Sequence, residues 1–311
     1  MRKRLDVEKI SWKTDWQRNK LVYLFFLPIF IYFLILNYLP MFGIVMAFQD
    51  FRIARGVFGS RWIGLDNFVE LFSGDAFPRA VRNTFAMGMF NLVLGFPAPI
   101  IFALLITSMP FKRVKRVCQT LSYLPNFVAV VVVVNLIQLF LGFDGVLTSV
   151  LTSLGFTQQN WLANATPPVF WLINTYSGVW QGFGYGSIMF VAAISNISQD
   201  LHESAAIDGA NRWQRIWRIT LPGILPLIIM LLTLQVGLVF RIGFDKILLM
   251  YMPQTFSVAD AIFTYTFRMA FGSSPDFGLA AASGLFQSVV GTTLLIVSNN
   301  LNKKLTKHSL F

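Results

Sequence analysis

The residues whose types and spacing suit them best to chemistry lie in one run, Ser198-Gln-Asp-Leu-His-Glu-Ser-Ala-Ala-Ile-Asp-Gly-Ala-Asn-Arg-Trp-Gln-Arg-Ile-Trp-Arg-Ile-Thr-Leu-Pro222. That chemistry is recognition, not catalysis. Ser198 or Asp200 can cap a first short helix, Glu203 stands three residues after Asp200 where a capping box would place it, and Gly209 supplies a left-handed turn at the helix end. Asp208 caps or pairs locally. Ala205 and Ala206 present almost no side chain, so the backbone of another protein can come close. Beyond the bend, Trp213, Ile216 and Trp217 form an apolar stripe at helical spacing, and Pro222 can open a further helix where a missing amide hydrogen costs little. The run predicts a protruding, bent, dockable knob of two short helices. It also suits an amphipathic helix on anionic lipid, with Arg212, Arg215 and Arg218 as the cationic face.

The elements that hold this knob are apolar. Of 311 residues, 55% are hydrophobic and 13% charged, against about 25% charged in soluble domains, and the mean hydropathy is +0.62. Repeated stretches exceed the roughly 20 residues a helix needs to cross a bilayer. Six spans are predicted, at 21–48, 81–108, 117–141, 169–194, 221–240 and 277–298. The segment 258–271 is apolar but short and carries Asp260 and Arg268, so it is expected as an interfacial or re-entrant helix. The chain is therefore predicted to be an all-α polytopic membrane protein. Residues 1–20 form an N-terminal segment, 21–300 a single membrane domain with the knob at 198–218, and 301–311 a tail.

Charge sets the orientation. With both termini cytoplasmic, 17 of the 25 Lys and Arg residues fall inside, so the net +11 of the chain lies on the cytoplasmic face and the outer face is neutral. The basic excess is thus a topology signal and does not form a nucleic-acid face. No cleavable secretory signal is expected, because residues 1–20 are polar and basic and the first apolar run is too long for a signal core. One cysteine, Cys118, excludes an internal disulfide framework, and two histidines, His202 and His308, cannot build a metal centre by themselves. No G-x-x-x-x-G-K-[ST] phosphate loop is present, so energy from ATP would have to arrive from elsewhere. Acidic residues fall outside the predicted spans or near their ends and are scattered, which argues against an ion-driven carrier and a membrane enzyme.

At Glu203, Ser204, Ala205, Asp208, Gly209, Ala210, Ile219, Leu221 and Pro222 the chain resembles the EAA signature of binding-protein-dependent ABC importer permeases. In that pattern E-A-A is followed, after three residues, by G and then, after nine more, by I-x-L-P. The spacing holds, with Ser204 in place of the first alanine. Trp62-Ile-Gly-Leu-Asp-Asn-Phe68 is similar to an external segment of carbohydrate permeases, and Phe244-Asp-Lys-Ile-Leu-Leu-Met-Tyr251 and Gly284-Leu-Phe-Gln-Ser-Val-Val290 resemble the oligosaccharide (LplB-like) branch. The resemblance implies the type I ABC importer permease fold in a bacterial plasma membrane, with the knob as a cytoplasmic coupling helix between spans four and five. Glu203 would then lie at an ATPase surface. It implies a second, homologous permease subunit, an ATPase dimer that carries ATP and Mg, a solute-binding protein and an oligosaccharide cargo, with no cofactor on this chain.

Polar side chains inside spans mark the expected path. Asn91, Asn135, Gln138, Asn174, Trp180, Gln181, Tyr185 and Gln235 offer amides for sugar hydroxyls and aromatic faces for sugar rings, or they join helices to one another. Arg241 and Asp245, four apart, would pair on one helix face, unless an acidic sugar claims Arg241. Gly182-Phe-Gly-Tyr-Gly186 is expected as a pivot or a close-packing site.

Overall fold

The computed structural model describes residues 12–306, so the basic residues expected at the extreme ends lie outside the described residues. Helix α1 (Trp12–Phe33) continues through a π-helical turn, Leu34–Tyr38, and a 3-10 stretch, Leu39–Phe48. Asn19 and Pro28 weaken α1, and Pro40 opens the tighter 3-10 winding. Its apolar side chains face outward on all sides, including Phe25 at 77% exposure, as a helix meant for lipid or a partner requires.

A two-stranded antiparallel ribbon follows, β1 (Gln49–Asp50) with β2 (Arg61–Trp62), around the one-turn α2 (Gly56–Gly59). Here the Trp62–Phe68 motif acts as a clasp. Trp62 stacks on Phe48, Gly64 takes a positive φ of +66°, and buried Asn67, in α3 (Asp66–Ser73), donates to the carbonyls of Ala47 and Gln49 at 3.0 and 3.1 Å.

The second span is α4 (Ala76–Phe90), a π-helical turn at Asn91–Gly95 and α5 (Pro97–Thr107). The next apolar stretch differs from expectation. Residues 117–141 do not form one helix: α6 (Lys112–Tyr123) ends in a 3-10 turn at Leu124–Phe127, and α7 (Val130–Leu141) starts afresh. Pro125 has no amide hydrogen to continue α6, and Val128 and Ala129 turn out of helical ψ. The short α8 (Val146–Ser153) follows α7. Helix α9 (Pro167–Ser195) has 29 residues, so it is about 43 Å long at 1.5 Å per residue. Then come α10 (Gln199–Ile207), α11 (Arg212–Arg215), a π-helical turn at Ile216–Thr220 and α12 (Leu221–Gly237). The chain finishes through α13 (Phe244–Met250), α14 (Phe256–Ala259), α15 (Ile262–Phe271) and α16 (Phe277–Thr306).

Among the described residues, five helical stretches are long and apolar enough to cross a membrane: Thr14–Phe48, Ala76–Thr107, Val130–Ser153, Arg212–Gly237 and Phe277–Lys304. Helix α9 is long enough but too polar to count with them.

The segment 258–271, expected as an interfacial or re-entrant helix, is not one helix. It breaks at Asp260, whose extended backbone separates α14 from α15, and Val258, Ala259, Ala261 and Ile262 are buried. Polar side chains of older neighbours pin it. Buried Asn83 donates to the Asp260 carbonyl at 3.0 Å, Thr84 Oγ1 accepts from the Ile262 amide at 2.9 Å, and Trp171 Nε1 donates to the Val258 carbonyl at 2.8 Å. Asp260, 1% exposed, takes both arms of the Arg268 guanidinium at 3.0 and 2.6 Å. That pairing is what permits the fold-back, since a lone buried charge would be prohibitive.

In the glycine cluster of α9 the roles divide. A Cβ on Gly184 would run into the Ser122 carbonyl of α6, so this glycine is a close-packing site. Gly184→Leu is expected to push the two helices apart and to lower the thermal midpoint of the detergent-solubilised protein, by an overpacking cost of about 1–3 kcal/mol. Gly182 meets no neighbour and is open. At the end of the bundle nearest the 198–218 segment, Ile100, Ala103, Phe190 and Ile224 form an apolar cluster that binds α5, α9 and α12, with Ile194, Ile197 and Leu227 packed on it.

Candidate functional site

The hook between α9 and α12 is built from local signals. Ser198 caps α10, its Oγ accepting from the Asp200 amide at 3.3 Å. Glu203 does not complete a capping box. With the cap at Ser198 it lies five residues into the helix, beyond reach of the cap amide, and its carboxylate instead accepts from Gln199 Nε2 at 2.8 Å. Gly209, at φ +78°, ends the helix: its N–H donates to the Ala206 carbonyl at 3.1 Å and the Ala210 N–H to the Ala205 carbonyl at 2.9 Å. These two bonds are a Schellman motif, which fixes the angle at which the chain leaves. Asn211 and Gln214 then exchange a capping box, each side chain accepting from the other's amide at 2.9 and 2.8 Å. The Asn-x-x-Gln spacing could have announced this cap.

From Arg212 to Gly237 the chain is one continuous helical rod. Its π-helical turn, with the Leu221 N–H on the Ile216 carbonyl, relieves the crowding that Pro222 would impose on the preceding turn. The motif residues Ile219, Leu221 and Pro222 thus sit at the junction of hook and span. The expected stripe splits here: Ile216 is buried, whereas Trp213 and Trp217 point outward at 60% and 65% exposure.

Leu201, Ser204 and Asp208 lie on the outward face of the hook, and Ile207 is 87% exposed. On its other side a cavity of about 580 Å³ lies between α10, the adjoining ends of α5 and α9, Lys115 of α6, and α11 with the π-helical turn after it. Glu203 is the one acid of its lining, opposite Lys115, Arg212 and Arg215, with His202 and Ala206 beside it.

The path candidates do not converge on one point. Asn135 and Gln138 are exposed on α7, Asn91 is exposed at the π-helical turn of the second span, and Gln235 is partly buried on α12. Gln181 is a brace, with Nε2 donating to the Val128 carbonyl at 3.0 Å across the break between α6 and α7. Asn174 points Nδ2 at Met87 Sδ, 3.7 Å away. Trp180 shares an exposed α9 face with Tyr176, while Tyr185 faces the opposite way and meets the Phe127 ring edge-on at 6.2 Å. Arg241 and Asp245 are not paired. Helix α12 stops at Gly237 and α13 begins at Phe244, so a spacing of four no longer means one face, and both side chains are exposed. Among the described residues the ion pairs are Arg52 with Asp50 and Arg268 with Asp260.

One polar residue escaped the sequence reading. Lys246 on α13 reaches α9, where its Nζ donates to the Asn174 main-chain carbonyl at 2.5 Å and lies 3.4 Å from where a Cβ on Gly178 would stand. A single lysine inside Phe244-Asp-Lys-Ile-Leu-Leu-Met250 was its only signal.

Comparison with known proteins places this geometry. Residues 67–307 match the family described as "Binding-protein-dependent transport system inner membrane component". Protein LplB of Bacillus subtilis (strain 168) is 37% identical, over 97% of this chain and 94% of its own length. The polygalacturonan/rhamnogalacturonan transport system permease protein YteP of the same organism is 34% identical, over 100% of this chain and 94% of its own length. A chain in the crystal structure of a bacterial ABC transporter involved in the import of the acidic polysaccharide alginate superposes with a TM-score of 0.86 at 38% identity, over 95% of this chain and 99% of that one. The fold is therefore that of a type I ABC permease. The chain belongs to the binding-protein-dependent transport system inner membrane components, as a multi-pass transport subunit and not an enzyme.

Proposed function

We propose that this chain forms half of the translocation path of an ATP-driven oligosaccharide importer and takes its power stroke through the hook at 198–218. The observation that carries the proposal is mechanical. The hook leaves α9 through Ile197, bends at a Schellman turn, and re-enters the membrane as one rod, and both of its roots are gripped by the same apolar cluster of α5, α9 and α12. A push on α10 would therefore turn the inner halves of three helices together. The outward face of Leu201, Ser204 and Ala205 suits a cleft on the ATPase subunit, which would hold ATP and Mg. Six spans result if α9 crosses with the five apolar stretches, and the excess of Lys and Arg then sets both termini in the cytoplasm. A solute-binding protein would deliver cargo at the outer side, and a second, homologous permease subunit would close the path.

The carbohydrate reading draws on relatives named for polygalacturonan/rhamnogalacturonan, arabinooligosaccharide and alginate transport. A complex of the alginate importer with its oligosaccharide-bound periplasmic protein is also similar, with a TM-score of 0.87. Co-purification tests the whole assembly. A tagged chain should bring down a second permease and an ATPase, and the complex should hydrolyse ATP faster when a sugar-loaded binding protein is added. A chain that purifies alone from gently solubilised membranes would contradict it.

A further inference from the structure

We infer that Lys246 receives a carboxylate of the cargo, so that the oligosaccharide carried is an acidic one; this rests on the carbohydrate reading above. A lysine drawn off the surface normally meets a carboxylate, because removing an ammonium from water is costly unless it is paired. Lys246 has none: among the described residues no acid lies within 4 Å of Nζ, and its bond there is to the main-chain carbonyl of Asn174. An ammonium has three donors, so two are left for a visitor.

The surroundings are shaped for one. Nζ stands over Gly178, and on the same face of α9 follow Gly182, where a Cβ would meet nothing, and then the half-exposed ring of Tyr185. From Gly178 to Tyr185 is about 10 Å along the helix. The strip therefore offers a cation at its outer end, bare backbone in the middle and an aromatic ring at its inner end. A sugar ring can stack on the aromatic while a uronate carboxylate is held at the entrance. A neutral sugar could accept hydrogen bonds from the ammonium but would leave its charge unpaired; an isolated anion would not use the strip or the ring.

The test uses the complete importer in proteoliposomes with its binding protein, and two probes of one skeleton, trigalacturonate and its carboxyl-reduced neutral counterpart. Lys246→Gln is expected to slow uptake of the acidic trimer about tenfold or more, the scale of a lost charge-assisted hydrogen bond, and to spare the neutral one. Lys246→Arg should restore most of the acidic uptake. If Lys246→Gln slows both probes equally, the residue is only a brace between α13 and α9 and the proposal is overturned. A wild-type importer that moves the neutral trimer alone also overturns it and leaves the carbohydrate reading intact. Transport of neither sugar sinks both.

Discussion

Replacing Gly209 with proline is expected to bring binding-protein-stimulated ATP hydrolysis of the assembled importer down to the unstimulated rate, with membrane insertion unchanged. Proline holds φ near −65° and has no N–H, whereas Gly209 sits at +78° and donates to the Ala206 carbonyl. The substitution costs roughly 3 kcal/mol at the turn, enough to re-aim α10 rather than merely loosen it. Glu203→Lys should reach the same end by charge. Glu203 faces a cavity whose lining also carries Lys115, Arg212 and Arg215, so reversal leaves four cations across it and pries the hook from the bundle. Both residues are exposed and lie outside the apolar clusters, which is why insertion should survive. ATPase assays on purified complexes, with subunit ratios read from gels, check both variants; stimulation that persists in both would remove the hook from the mechanism.

The second large effect is expected at the Asp260–Arg268 pair. Asp260→Ala strips Arg268 of both of its carboxylate bonds and Thr264 of a 2.8 Å partner, at the point where α14 folds back into α15. Those hydrogen bonds hold the Arg268 pKa above its ordinary value, and without them the guanidinium still keeps its proton, because arginine is effectively always charged. Breaking one side of a buried pair costs about 3–5 kcal/mol, a large share of the stability of most domains. The thermal midpoint of the solubilised protein should drop by many degrees, and Asp260→Asn, which keeps an oxygen for Thr264, should fall less. An unchanged midpoint in Asp260→Ala would mean that the pair does not hold the fold-back.

What could be read in the sequence was what local residues decide. Gly209 announced the turn of the hook because few residues other than glycine accept its backbone angle; Pro222, expected to open a fresh helix, instead lies inside a rod that passes it on a π-helical turn. The resemblance at Glu203 to Pro222 led to the family because that spacing is long and specific. Hydropathy was a poorer guide wherever an average hides one residue. Across 117–141 it is nearly continuous, yet Pro125 tightens the end of α6 and the extended backbone at Val128 and Ala129 sets α7 apart. Residues 258–271 were expected as one interfacial or re-entrant helix, and their break at Asp260 was not foreseen because the cross-chain bonds from Asn83, Thr84 and Trp171 that hold it have no local signature. Lys246 vanished into an apolar run, and its meeting with Asn174 spans 72 residues. The Arg241 and Asp245 pairing failed because it presumed a helix that ends four residues too early.

The central claim is that α10 presses on a soluble motor subunit, and cross-linking measures that contact directly. In a Cys118→Ser background, which leaves no other thiol, a cysteine placed at the exposed Ser204 should form a disulfide or short bis-maleimide link to the ATPase subunit in native membranes. A cysteine at Leu139, exposed on α7 well away from the hook, should not. Quenching of a label at Ser204 by doxyl lipids, with no ATPase adduct, would show the hook resting on the bilayer and would contradict the account.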